Sequence, residues 1–311
     1  MTAVGNAPAS SLGLDDACAL AAAWLSHVGE RRGIRLLVIK GQSLAHHGLR
    51  PARTSADVDV LVEPQLFDEL CAEIRVAGWR QRATTEVGAV WAGHSLTLLS
   101  DTWPCDIDVH RYFPGFLNDP ATTFDLLWES RIQMQLAHQP VAVPSRVGSI
   151  LIAGLHQLRD GETRADKLEL ANLASAELSD DERVDLIALA ESTGALEPAR
   201  ELLATLGIRD GELPPPRDSP PLRAWRSRVD AKASGAFFWM LLIERTPASK
   251  RLGVLRRALW PPRETLFINH PGAHDTLLNR TKLRLARLPG GLRGVRTGVL
   301  AYLNRQRRGP S

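Results

Sequence analysis

Asp57 and Asp59 stand two residues apart in the run DVDVLV, and Asp106 and Asp108 stand two apart in CDIDVHRY. Both runs alternate acid with Val or Ile. That is the period of a β-strand with one apolar face, so each acid pair projects from one side of its strand. Two carboxylates on an apolar strand repel one another and resist burial unless a cation or strong donors accompany them. A hard divalent ion answers that need, because magnesium takes carboxylate oxygens together with water and phosphate ligands. If the two strands are neighbours, three or four carboxylates converge and can hold two ions. Such a pair activates an attacking oxygen and stabilises a leaving pyrophosphate.

Upstream, RLLVI at 35–39 is a short apolar run that reads as a buried strand. Lys40–Gly41 breaks it, and Gln42 and Ser43 open a helix. Backbone N–H groups at such a turn favour phosphate, and Gly41 lets the chain approach it closely. The Ser43 hydroxyl can donate to a phosphate oxygen, Lys40 can touch one, and Arg50 and Arg53 in the following loop can neutralise a triphosphate. Lys40, Gly41, Gln42, Ser43 and Arg53 are therefore the expected nucleotide contacts. His110 is expected to pack or hydrogen-bond beside the site, and His46, His47 and His156 to be structural. Arg164, Lys167 and Glu169 are candidates for a far wall.

The elements that must position these residues are legible in outline. Asp15–Val28 has helical spacing. Strands are expected at 35–39, 57–62, 79–82, 95–99 and 105–112, with an amphipathic helix at 65–77 ended by Gly78. From about Thr122 the pattern turns helical, most clearly at 147–158 and 165–178. Ser179 and Glu182 form a capping box for a further helix. GELPPPRDSPPL, residues 211–222, holds five prolines and reads as a linker or rigid excursion. The reading is an α+β fold: a small mixed-sheet core over 1–120, a helical domain over 121–210, the linker, and a basic helical segment over 223–311.

Residues 217–311 carry 20 Lys/Arg against 5 Asp/Glu, whereas residues 1–216 carry 18 against 30. The basic end either pairs with the acidic half or meets a polyanion, whether nucleic acid, an anionic membrane or a phosphorylated partner. Its aromatics, Trp225, Phe237, Phe238, Trp239 and Trp260, are expected to form a small helical core rather than to stack bases. Three scattered cysteines, Cys18, Cys71 and Cys105, form neither a disulfide framework nor a zinc set, so a reducing cytoplasm is expected. No secretory signal is read at the start. The longest apolar run near the C-terminus, 236–243, is far shorter than the ~20 residues a bilayer span needs.

IKGQSLAHHGLRPARTSADVDVLV at 39–62, followed by CDIDVHRYF at 105–113, resembles the uncharacterised nucleotidyltransferase family of the polymerase-β-like superfamily. LWPPRETLF at 259–267 is more loosely similar to the C-terminal segment of such proteins. The resemblance implies transfer of a nucleoside monophosphate from an NTP such as ATP to an acceptor hydroxyl, with pyrophosphate released and two Mg²⁺ ions. Asp57 and Asp59 would hold both metals, and Asp108 would complete the site and help deprotonate the acceptor. The chain departs from the superfamily's Gly-Ser or Gly-Gly turn by inserting Gln42, and Asp106 is an extra acid. The acceptor stays open between a small molecule, a protein and tRNA. A catalytically inactive nucleotide-binding regulator and an RNA-directed enzyme are the alternatives.

Overall fold

In a computed structural model the described residues are 12–91, 93–160, 164–231, 235–268 and 273–307. A five-stranded mixed sheet comprises β1 (Leu36–Ile39), β2 (Asp57–Val62), β3 (Arg80–Gln81), β4 (Ser95–Leu99) and β5 (Asp106–His110), in the order β1-β2-β5-β4-β3. Only β2 and β5 run parallel; the other neighbours are antiparallel. A separate hairpin joins β6 (Ile132–Leu136) to β7 (Gln139–Val143). The helices of the sheet half are α1 (Leu14–Arg32), α2 (Gly41–His46), α3 (Phe67–Val76), α4 (Glu86–Trp91) and α5 (Pro120–Glu129). Then come α6 (Arg146–Asp160), α7 (Arg164–Ala174), α8 (Asp180–Ser192) and α9 (Arg200–Thr205). The basic segment holds α10 (Pro220–Ala231), α11 (Gly235–Arg245), α12 (Ala248–Leu259), α13 (Arg263–Ile268) and α14 (Leu277–Arg307).

Strand alternation decides what each face of the sheet meets. Val58, Val60 and Val62 of β2 and Ile107 and Val109 of β5 enter one core with α1, α3 and the β6–β7 hairpin. Each such side chain contributes about 1.5–3 kcal/mol on burial, so a one-residue slip of register is strongly disfavoured. The opposite face carries Leu37, Ile39 and Leu61 into a second core, which runs from β1 through α6, α8 and α9 to Trp225 of α10. The acids project from this second face, where its apolar packing gives way to a cavity.

The hairpin at 132–143 departs from the all-helical expectation for the chain beyond Thr122. Its two-residue turn, Ala137–His138, has φ of 47° and 62°. Both values suit Asn or Gly, the usual hairpin signals, and neither residue is present here. The capping box at Ser179 and Glu182 is formed in both directions. Leu213 and Leu222, flanking the prolines, are buried in the second core. Phe237 and Phe238 pack against Val87 and Val90 of α4 and Tyr302 of α14, a core role for those aromatics. No described helix is long and apolar enough to cross a membrane.

Candidate active site

Parallel pairing sets Asp59 directly opposite Asp108, and Asp57 opposite Asp106. Asp57, Asp59 and Asp108 line one cavity of about 330 Å³, together with Lys40, Gly41, Arg50 and Arg53. That is within the usual range for small-molecule sites. One ligand atom from each of Asp59, Asp108 and His110 lies within 4.8 Å of the others. Carboxylate oxygens converging at this spacing suit a hard divalent cation.

Protein charges hold the acids in place. Lys40, between β1 and α2, has φ 56° and ψ −148°, a left-handed backbone that costs a residue with a side chain about 1–3 kcal/mol. That strained turn sets Nζ 2.6 Å from Asp59 Oδ1 and 5.6 Å from the centre of the Phe113 ring. Gly41 follows with φ 44°, which glycine adopts without penalty. Buried His110 reaches both acids: Nε2 is 2.9 Å from Asp59 Oδ1 and 3.3 Å from Asp108 Oδ2. With oxygens on both sides, Nε2 carries the proton and donates. Thr97 Oγ1 donates to Asp108 Oδ1 at 3.3 Å, and Ser55 Oγ to Asp57 Oδ1 at 3.3 Å.

The three carboxyls are not equivalent. Burial pushes Asp59 upward, but the Lys40 ammonium and the His110 hydrogen bond outweigh it, leaving Asp59 far below the usual range. Asp108 follows the same pattern: burial raises it, and the hydrogen bond and charge of His110 bring it below normal. Asp57 presents surface to solvent yet is raised, first by the protein packed round its carboxyl and then by the Asp59 charge. It has a weak hydroxyl donor and, among the described residues, no cation touching it, which makes it the acid with most to gain from a metal ion. Asp108 stays ionised and is correspondingly a weak proton acceptor at neutral pH.

A family model described as an uncharacterised nucleotidyltransferase matches residues 22–207, more than half of the chain. The chain belongs to that family. No curated protein matches it in sequence. Among solved structures, the lincosamide antibiotic adenylyltransferase LnuA, with lincomycin bound, is 15% identical and covers 49% of this chain and 93% of its own, at a TM-score of 0.35. A nucleotidyltransferase-like protein from Paracoccidioides brasiliensis is 14% identical over 61% of this chain and 93% of its own, at 0.37. The antibiotic-resistance factor ANT(2'')-Ia is 15% identical over 63% and 92%, at 0.34.

Within this member of the family the remaining sequence candidates divide. Arg53 and Arg50 line the cavity, and both reach Glu169 Oε2 of α7, at 2.7 and 3.5 Å. Ser43 faces away from it: the side chain is fully buried, with Oγ 3.4 Å from Ser149 Oγ of α6. Its backbone N–H donates to Lys40 O. Gln42 Nε2 is 3.5 Å from the Asp15 carbonyl, away from the acids. Asp106 is bonded to Arg82 and does not line the cavity. His47 donates from Nε2 to Pro144 O at 2.9 Å, a structural contact. The side chains of Arg164 and Lys167 lie outside the described residues.

Sequence reasoning missed His94 and Arg159. His94 precedes β4, whose register sets Ser95 opposite His110. Arg159 follows His156 by three on amphipathic α6, and that spacing is the signal for one shared face. Arg159 Nη1 donates to His94 Nε2 at 3.1 Å. Burial and the adjacent Arg159 charge hold His94 well below the histidine range, so it is neutral. A group lowered in this way costs stability as pH falls through its unfolded value, because only the unfolded chain then takes up the proton. The chain is therefore expected to lose stability below about pH 6.5, by about 1.4 kcal/mol per pH unit for this one group. His110, whose pKa is raised, has its contribution fully present in that window and leaves the slope unchanged. Urea unfolding at pH 6.5 and 5.0 should show a smaller loss for His94→Gln than for the wild type. Equal losses would contradict the assignment.

Proposed function

We propose that this chain transfers a nucleoside monophosphate from an NTP to an acceptor hydroxyl, with Asp57, Asp59 and Asp108 holding Mg²⁺. The observation that carries the reading is the facing pair Asp59–Asp108 with Asp57 beside it on the cavity wall. In the reaction the acceptor oxygen forms a bond to the α-phosphorus. The bond from that phosphorus to the oxygen bridging to the β-phosphate breaks, pyrophosphate leaves with the electron pair, and the hydroxyl proton passes to solvent. Bound Mg²⁺ supplies Lewis-acid polarisation of the phosphate and neutralises charge building on the leaving group.

The chain's own residues bind and orient. Lys40 and His110 both hold Asp59 at Oδ1, a rigid mount that leaves its other oxygen to the metal. His110 also ties Asp108 to Asp59, which keeps the two acids at one spacing. Arg53, half in solvent and held at one nitrogen by Glu169, offers its other N–H groups to the triphosphate. Gly41 lines the cavity without a side chain and admits the nucleotide close to the backbone. Gln42 and Ser43 take no part through their side chains.

The test is incubation of the chain with each of the four α-labelled NTPs, Mg²⁺ and cell extract. Label is expected to pass to an acceptor, with stoichiometric pyrophosphate, and EDTA should abolish both. RNase-sensitive label would identify the RNA-directed alternative. Thermal stabilisation by an NTP without transfer of label would overturn the catalytic reading in favour of a nucleotide-binding regulator.

A further inference from the structure

A second cavity, of about 320 Å³, opens between the chain following β5 and helices α10 and α11. Tyr112, Phe116, Trp225 and Phe237 give it aromatic walls, and Arg228 and Arg245 line it as well. Little divides it from the carboxylate cavity. The Tyr112 ring lies 6.0 Å from that of His94, centre to centre, and His94 lines the first cavity. Arg228 sits close enough to feel the charge of Arg159, another residue of that first wall.

Neither arginine forms an ion pair with a carboxylate among the described residues, and no carboxylate acts on the buried Arg228 charge. Elsewhere the chain pairs its arginines readily, as at Arg53–Glu169, Arg146–Glu182 and Arg200–Glu197. Burial holds the Arg228 guanidinium below the ordinary arginine range, and Arg245 repels it further. A partly buried, unpaired cation against aromatic walls is costly, and an anion that bonds to it removes the cost. Arginine also presents the planar donor set that grips carboxylate or phosphate from two sides.

We propose that this second cavity holds the acceptor, and that the acceptor is an organic anion. It would be a hydroxylated molecule with an apolar or aromatic body, its carboxylate or phosphate on Arg228 and Arg245, its hydroxyl directed past Tyr112 toward Asp108. The word acceptor rests on the nucleotidyl-transfer reading; the anionic occupant does not. The same two charges work against polycationic molecules.

Three probes that share one ring and hydroxyl test the charge: 4-hydroxyphenylacetate, its methyl ester, and tyramine, each titrated calorimetrically into the full chain. The acid is expected to bind roughly tenfold or more tighter than the ester, the effect of a charge-assisted bond, and tyramine more weakly still. Arg228→Gln with Arg245→Gln should bring the acid down to the level of the ester. Because the pair removes unpaired cations, its circular dichroism and melting should match the wild type; Arg228→Lys, which keeps the charge, should retain the preference for the acid. Phenyl phosphate in a parallel arm supports phosphate as the natural anion if it outbinds the acid, and carboxylate if it does not. Equal binding of acid, ester and amine, no binding of any probe, or a preference that survives the double substitution would overturn the proposal. So would displacement of the acid by MgATP, which would put the acid in the first cavity. MgATP titrated alone separates the two readings. Its failure to bind sinks nucleotidyl transfer and leaves the charge preference standing, whereas MgATP binding without that preference sinks this proposal only.

Discussion

Asp57→Asn is expected to abolish pyrophosphate release from NTP, by at least about a thousandfold, while leaving the chain as stable as before or more so. The activity loss follows from the proposed metal set, where the amide keeps the shape of the carboxylate but lacks its charge. The stability gain follows from the raised pKa of Asp57. A carboxyl whose pKa is raised by folding adds stability only in its protonated form, below its unfolded value near 3.8, and that contribution is lost as pH rises through the folded value. At pH 7 the ionised group therefore works against the fold, and Asn relieves it. Asp59→Asn should lose activity equally, but for two reasons at once. Asp59 is the buried partner of Lys40 and His110, and breaking a buried ion pair costs about 3–5 kcal/mol. Comparing the two variants by thermal melting and pyrophosphate assay thus isolates chemistry from folding. An active Asp57→Asn enzyme would remove the basis of the metal assignment.

Glu169→Ala is the substitution with the largest expected effect on stability alone. Glu169 is only 7% exposed and is the shared partner of Arg53 and of Arg50, itself 9% exposed. Without it, two like charges remain side by side, one of them buried. Burial already pulls the Arg50 guanidinium below its ordinary range, Arg53 adds to that pull, and Glu169 opposes it. Loss of about 3–5 kcal/mol is expected, read as a fall in the urea midpoint at unchanged m-value. Arg50→Met combined with Glu169→Leu should restore most of it, because an apolar pair of similar volume avoids the desolvation cost. A single Glu169→Ala variant within about 1 kcal/mol of the wild type would show that the pair does not fasten the 50–53 loop to α7.

The carboxylate arrangement was legible because its information is local. Alternation in DVDVLV and CDIDVHRY fixes which residues share a face, and apolar neighbours fix which face is buried. That β5 lies against β2, and in parallel, is a long-range fact that the alternation allows but does not state. Ser43 shows the limit of a local motif. Its place after the glycine suggested a phosphate contact, yet α2 packs on α6 and turns the hydroxyl toward Ser149. The hairpin at 132–143 stayed hidden because Ala137 and His138 accept positive φ without being the residues that advertise it. His94 and Arg159 escaped notice for another reason: they come from segments 65 residues apart and acquire meaning only when the fold sets Arg159 of α6 against His94.

The single parallel pairing also bears on how the molecule assembles. β2 and β5 are separated in sequence by α3, β3, α4 and β4, so the two halves of the acid cluster meet only when a long loop closes. Closing such a span costs chain entropy before the pairing repays it, so this contact is expected to form late in folding. On the proposed metal set, a divalent ion held by both strands would find no binding place in the collapsed chain before that moment. Its influence would then fall on the rate at which the finished molecule opens, and hardly on the rate at which it forms.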